Sequence, residues 1–587
     1  MKGLVKLIAF CLVAIAGESC SGKFIFSCDG DIWHSDFRAG GKYLILPVED
    51  GAPECRIFLE SEDSVLESLV LRPAMGQVDY YVPLNLGKYD RDSFRFVMSS
   101  EPSRLFAEKL HFSDRFIPDK DPLRPVFHHT APYGWINDPN GLIYIDGMYH
   151  LFYQHNPYGC TWGNMTWGHS VSRDLIDWED WGDAVFPDAN GTAFSGCCLI
   201  DEHDCAGFGE GTLVAAYTAD APSGQTQCLA YSTDGGRHFE KYSGNPVLAS
   251  DTERDFRDPK VFWHDASGQW IMLLGAGKKI EFYNSANLVD WKLAGVFDDG
   301  GRPDDSLVWE CPDLFELTIA DAGERVWVLM FSTLVNEGSS SRVRYYTGNF
   351  DGRSFVADSP GRPVDFGPDF YAASTWENAP SGRRLMTAWL CGVAYGRQQP
   401  TRVFRGVHTV PRELGLKSVG KRRILTASPC MGLNEYMNRV ASYNMIRVNP
   451  DSHFRKVCRG SRAFSLDLNI SSGDADFYTI TLFNEAGEAV EFVMDCHSGQ
   501  MQINREKSGR TDFSDRFVGN WSLRPGKMEN LRLRILVDST SIECFVNDGA
   551  ETVTFQIYPS EPYGSVSVCA KGGEAMINSM DVYTITK

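Results

Sequence analysis

Three acidic residues sit in stretches whose composition suits chemistry: Asp138 in WINDPNG, Asp258 in FRDPK and Glu310 in WECPDLF. Carboxylates brought close together cannot all ionise easily, so one is pushed toward its protonated form. A carboxylate beside a carboxylic acid is the equipment for cleaving a glycosidic bond. Three carboxylates also suit a divalent cation, and Asp-Pro-Asn-Gly is a sound turn sequence with no further role. Each motif alone favours such a structural reading. Trp135, Trp162, Trp167 and Trp309 lie near the acidic residues along the chain, and flat aromatic faces of this kind stack on sugars. Together these features favour a carbohydrate substrate, with no cofactor and no metal expected. His128-His129 lacks further ligand spacing and reads as a structural pair. No CxxC spacing is present to suggest zinc.

A repeat supplies the elements that would bring the three acids together. Ser172-Arg-Asp-Leu-Ile-Asp-Trp178 recurs as Ser285-Ala-Asn-Leu-Val-Asp-Trp291, with weaker copies at Ser232–Phe239 and Gly348–Phe355. The copies begin about 50–60 residues apart, near the length of a four-stranded propeller blade. Each reads as the turn and outer strand that close a blade. Four copies and the stretch after Phe355 predict five blades. Counting back from each closing aromatic gives Asp138, Ser195, Asp258 and Glu310 as equivalent positions. The first strand of a blade is innermost, so Asp138, Asp258 and Glu310 are expected to converge at one end of the central channel.

The flanking regions also read as β. Runs such as KYLILPVE and SFRFVMSS alternate with period two and predict a small β domain before the propeller. After it, a stretch containing GLNEYMNRVASY reads as helical or irregular. Short alternating strands from AFSLDLNI to DVYTI then predict a β-sandwich. The expected class is all-β: a five-bladed β-propeller over 121–420, a linker and C-terminal β-sandwich over 421–587, and an N-terminal β module over 21–120. Residues 1–20 read as an export signal, with Lys2 and Lys6 before an apolar run too short to span a bilayer. Cys20 follows small residues and is a candidate lipidation site, a simple secretory signal being the alternative. Of the 16 cysteines, many sit in strand-like apolar runs and read as core; Cys28 and Cys55 are a candidate disulfide. The 587 residues carry a net charge of −21, which argues against nucleic acid and anionic membranes as partners. Membrane attachment is expected only through a lipid on Cys20, and the oligomeric state stays open.

Several stretches resemble glycoside hydrolase family 32, the β-fructofuranosidases, levanases and inulinases. They are WINDPNG (135–141), FYQHNP (152–157), WGNMTWGHSVSRDLIDWE (162–179), FSG (194–196), FRDP (256–259), WECPDLF (309–315), DFGPDFYA (365–372), RGVHTVPREL (405–414) and LRILVDSTSIECFVNDG (533–549). The resemblance implies that Asp138 is the nucleophile, Glu310 the general acid/base and Asp258 the residue that holds fructose hydroxyls, with Arg257 beside it. It implies that Asn137, Gln154, Trp162 and Ser195 bind sugar. Residues 23–115 lie outside it and look like a module sometimes attached to Bacteroidetes fructan hydrolases. The expectation is a retaining enzyme at a bacterial cell surface or in the periplasm, releasing terminal fructose from levan or inulin and possibly from sucrose. Endo-acting hydrolysis, fructosyl transfer and non-catalytic fructan binding are the alternatives. All three carboxylates are present, which argues against the last.

Overall fold

The computed structural model describes residues 24–62, 64–301, 306–335, 341–457, 461–525 and 530–587. The signal and Cys20 lie outside the described residues. Among the described residues no helix is long and apolar enough to cross a membrane. The chain divides into two compact units between Asp119 and Lys120.

The first unit holds a five-stranded sheet in the order Ser27–Asp29, Ile32–Arg38, Ser93–Met98, Cys55–Ser61, Ser64–Leu71, and a three-stranded sheet built around Tyr43–Val48. Alternation sends Ile57, Leu59, Phe96 and Met98 inward, all fully buried. A one-and-a-half-turn helix, Arg104–Lys109, is capped by Ser103, whose Oγ accepts from the Phe106 N–H at 2.9 Å. Cys28 and Cys55 do not pair: Cys28 is exposed, Cys55 is buried and both are free thiols. Cys55 behaves as a small core residue, as buried cysteine commonly does.

The second unit begins with five four- or five-stranded antiparallel sheets in chain order. Their first strands are Gly134–Ile145, Thr192–Asp201, Phe256–His264, Ser306–Thr318 and Tyr371–Thr375. Each touches the next, and the fifth touches the first, so they form a closed ring and the sheets are the blades of a propeller. The repeated sequence is the turn from third to fourth strand. Asp174 Oδ1 accepts from the N–H groups of Ile176 and Asp177 at 2.8 Å, and Asn287 Oδ1 and Asp351 Oδ1 make equivalent bonds. An Asx side chain that mimics a backbone turn is the reason for the repeat. The fifth blade makes this turn at Gly420 (φ 62) between Arg412–Val419 and Arg422–Pro429, so it carries no fifth copy. Phe404–Arg405 pairs in parallel with Gly134–Trp135 and ties the end of the ring to its start.

Two six-stranded sheets follow, with Leu466, Ile480, Phe492, Ile535, Phe555 and Val582 fully buried between them. The stretch expected to be helical or irregular is different. Only Met431–Tyr436 is a 3-10 turn; Met437–Val448 is a strand that pairs along Ala575–Ile585. Pairing with a partner far away in sequence outweighs the local preference of a polar, weakly alternating segment.

Where propeller meets sandwich, His128 lies between Asp538 Oδ2 and Glu543 Oε1, 2.8 Å from each, with all three side chains fully buried. Burial opposes the charge on His128, but hydrogen bonds and charges from Asp538 and Glu543 outweigh it and raise the imidazole to about 9. An unfolded imidazole titrates near 6.5. The stabilisation is therefore full below pH ~6.5 and is lost as the pH rises through about 9. The thermal midpoint is expected to fall between pH 7 and 10, and His128→Asn is expected to start lower and flatten that slope. Melting curves across this range check it; an equal slope in the variant counts against it.

Candidate active site

Each strand of the inner ring departs from regular pairing at the same level. The ladder shifts across Asn137-Asp138, Phe194-Ser195, Asp258-Pro259, Cys311-Pro312 and Ala372-Ala373. Proline has no N–H to give the ladder, and Pro139, Pro259 and Pro312 stand at or beside three of these irregularities. Asp258, Cys311 and Ala372 adopt positive φ, 65°, 49° and 51°, a backbone region that non-glycine residues hold only when their surroundings enforce it. Such bulges re-aim side chains, and here they turn them into the channel. The approach between strands is tight: a Cβ on Gly275 would sit 2.3 Å from the Trp309 carbonyl oxygen, next to Glu310.

The side chains line one cavity of about 580 Å³, whose walls include Asp138, Asp258, Glu310, Asn137, Gln154, Trp162, Ser195 and Arg257. All eight expected catalytic and sugar-binding residues thus share one space. Asp138 Oδ2 accepts from Ser195 Oγ at 2.7 Å, and its Oδ1 accepts from Asn137 Nδ2 at 3.0 Å. Glu310 Oε1 accepts from Arg257 Nε and Nη2 at 3.0 and 2.9 Å, and its Oε2 accepts from Tyr371 Oη at 2.6 Å. Asp258 Oδ2 accepts from the Cys311 N–H at 2.9 Å. The Cys311 thiol lies 3.6 Å from both Asp138 Oδ2 and Asp258 Oδ2. Gln154 Nε2 donates to the Ala193 carbonyl at 3.0 Å and so joins the first two blades.

Burial pushes the Asp138 carboxyl up; the Ser195 and Asn137 hydrogen bonds pull it down, and the Glu310 charge adds to the rise. Burial also raises Asp258, to about 7, against the pull of Arg257 and with the charges of Glu310 and Asp138 adding to it. A carboxyl that holds its proton can donate a hydrogen bond as well as accept one. Arg257 is the cation that balances the group, held also by Asp255 at 2.7 Å.

Two of the four tryptophans are not at the site. Trp167 is fully buried in the packing between the first two blades, and Trp309 is buried against Phe331 and Phe297. Trp135 and Trp162 line the cavity. Sequence reasoning missed Tyr371, Cys311, Trp389 and Arg397. Tyr371 occupies in the fifth blade the level that Asp138, Ser195, Asp258 and Glu310 occupy in the other four, and blade five has no closing copy from which to count back. His128 and His129 are both buried and hydrogen-bonded within the fold, as a structural pair should be.

Residues 128–429 match the glycosyl hydrolases family 32 N-terminal domain, and 436–584 match the family's C-terminal domain. Residues 35–126 match a domain of unknown function (DUF4980). The chain is 36% identical over 484 residues to a levanase of Bacillus subtilis (strain 168), covering 79% of this chain and 70% of that one. It is 32% identical over 513 residues to the extracellular exo-inulinase inuE of Aspergillus niger, covering 79% and 95%. The crystal structure of exo-inulinase from Aspergillus awamori superposes with a TM-score of 0.73 at 30% identity, covering 80% of this chain and 99% of that one.

Proposed function

Because the chain belongs to glycosyl hydrolase family 32, we infer that the cavity at the centre of the propeller is the active centre of a fructan-hydrolysing glycosidase. Its substrates are levan- or inulin-type fructans. The observation that carries the reaction is the pairing of two differently supported carboxyl groups in one cavity. Asp138 is oriented by Ser195 and Asn137, whereas Glu310 is held by Arg257 and Tyr371. In the first displacement an Asp138 oxygen bonds to the anomeric carbon of the terminal fructosyl unit as the bond to the leaving oxygen breaks. Glu310 gives its proton to that oxygen. Water then attacks the same carbon, Glu310 takes the water's proton, and the Asp138 ester is released with net retention. Asp258 holds fructose hydroxyls during both steps.

We read the mode as exo, at a bacterial cell surface of Bacteroidetes type. Trp162, set edge-on against Phe194 at 5.8 Å with Arg397 5.8 Å over its ring, forms a wall on one side of the cavity. A walled pocket favours a chain end over an internal linkage. Cys20 is read as a lipid attachment point on the exported protein, and mass spectrometry of the mature N-terminus decides that. Product analysis on levan, inulin and sucrose tests the mode: fructose alone in the first minutes supports it, and a ladder of oligofructosides rejects it.

Glu310→Ala is expected to lower turnover of fructan or sucrose by about 10²–10⁴-fold, the range of a lost general acid. On an aryl fructoside with a good leaving group the loss in the first displacement is expected to shrink to about tenfold or less, because acid assistance then matters little. Single-turnover rates on the two substrate types check this, and equal losses on both would sink the acid assignment.

A further inference from the structure

Behind the cavity wall lie two buried histidines, one touching the strand of Asp138 and the other touching the first, and neither takes part in the reaction described above. His408 Nε2 lies 2.8 Å from the carbonyl oxygen of Asn137, which belongs to the peptide bond entering Asp138. His408 Nδ1 lies 3.0 Å from His129 Nδ1, and His129 Nε2 lies 3.0 Å from Ser170 Oγ. The two rings are nearly parallel, 8° apart with centroids at 5.2 Å. His408 is fully buried, and His129 and Ser170 nearly so.

Only one arrangement of protons fits. A carbonyl oxygen can only accept, so His408 Nε2 carries a hydrogen. Burial disfavours a charge on either ring, so His408 Nδ1 is bare and accepts from His129 Nδ1–H. His129 Nε2 is then bare and accepts from the Ser170 hydroxyl. The chain of donors runs one way, from blade one's third strand through His129 and His408 to the peptide before Asp138. Asn137 is pinned through its side chain as well: its Oδ1 accepts from Trp135 Nε1 at 2.7 Å while its Nδ2 donates to Asp138 Oδ1 at 3.0 Å.

We propose that Ser170, His129 and His408 form a positioning device that fixes the Asn137–Asp138 peptide and thereby the direction from which the Asp138 carboxylate attacks. The proposal rests on Asp138 being the nucleophile. Misplacement of a reacting group by about 1 Å can cost about 10²-fold in rate, so the device acts on kcat rather than on binding.

The test is a pair of substitutions. His408→Phe keeps a planar ring but donates nothing, whereas His408→Gln can donate to the carbonyl and accept from His129. In purified enzyme normalised to its folded fraction, His408→Phe is expected to lose about 10–10²-fold in kcat with KM on sucrose or levan within about threefold of wild type. His408→Gln is expected to recover most of the loss. A Phe variant with wild-type kcat overturns the proposal, as do Phe and Gln variants that fall together. If the Phe variant does not fold, His129→Phe carries the test, since it leaves His408 Nδ1 without its donor. Its kcat is expected to fall about 3–10-fold at unchanged KM, and an unchanged kcat overturns the proposal. Asp138→Ala, measured alongside, separates the two layers. Activity in that variant rejects the nucleophile reading, whereas its loss beside a fully active His408→Phe enzyme rejects only the positioning chain.

Discussion

Asp138→Ala is expected to lower fructose release by at least about 10⁴-fold, the scale on which loss of a nucleophile or its activating group acts in covalent catalysis, with little change in thermal midpoint. The first expectation follows from chemistry. Without the carboxylate no covalent fructosyl intermediate can form, and neither Asp258, held by the Cys311 N–H, nor Glu310, held by Arg257 and Tyr371, is free to take its place. The second follows from where Asp138 sits. It faces a cavity wide enough for water, so Ser195 Oγ and Asn137 Nδ2 exchange a carboxylate for solvent and are not left orphaned. Its removal also deletes one of the negative charges that raise Asp258. Fructose release and a melting curve on the same preparation check both halves. Turnover within about tenfold of wild type would remove Asp138 from the mechanism.

The blades were legible in the sequence because their closing turns need an Asx side chain, which leaves a repeated trace at Asp174, Asn287 and Asp351, four residues before the closing aromatic, and a looser one at Asp234, whose Oδ1 accepts from the His238 N–H. The acids were legible because counting back from those turns reaches one level of the inner ring. Tyr371 was not legible, since the fifth blade turns at Gly420 and gives no offset. Trp167 and Trp309 misled for a related reason: proximity along a strand says nothing about which face a side chain takes. Trp167 and Trp309 point into inter-blade packing while Trp135 and Trp162 reach the cavity. Met437–Val448 escaped because the strand it pairs with, Ala575–Ile585, lies at the far end of the sequence. The bulges that aim the site could be read only in part, from the prolines in DPN, DPK and ECPD.

The second large effect concerns Arg412, at the end of the run 404–412 that ties the first blade to the sandwich. Phe404–Arg405 pairs with the first blade, His408 meets the Asn137 carbonyl, and Arg412 reaches the sandwich. The Arg412 guanidinium is fully buried and bridges Glu543 Oε2 at 2.5 Å and Asp365 Oδ2 at 3.0 Å, with Thr552 and Thr554 hydroxyls on the same nitrogens at 3.2 and 2.6 Å. Arg412→Met fills similar space but takes the guanidinium from buried Asp365 and leaves Glu543 to His128, and breaking a buried ion pair from one side costs about 3–5 kcal/mol. Arg412→Lys is expected to recover little, because an ammonium cannot reproduce the planar fork that serves both acids. The cost should depend on pH with a definite sign. Without the guanidinium Glu543 titrates higher in the folded state, so its protonation relieves the folded variant and the deficit against wild type shrinks as the pH falls. Denaturant unfolding of wild type and Arg412→Met at pH 5 and pH 8 measures this. A deficit below about 1 kcal/mol, the size of an exposed pair, or one equal at both pH values, would mean that the propeller and sandwich are not joined through this charge.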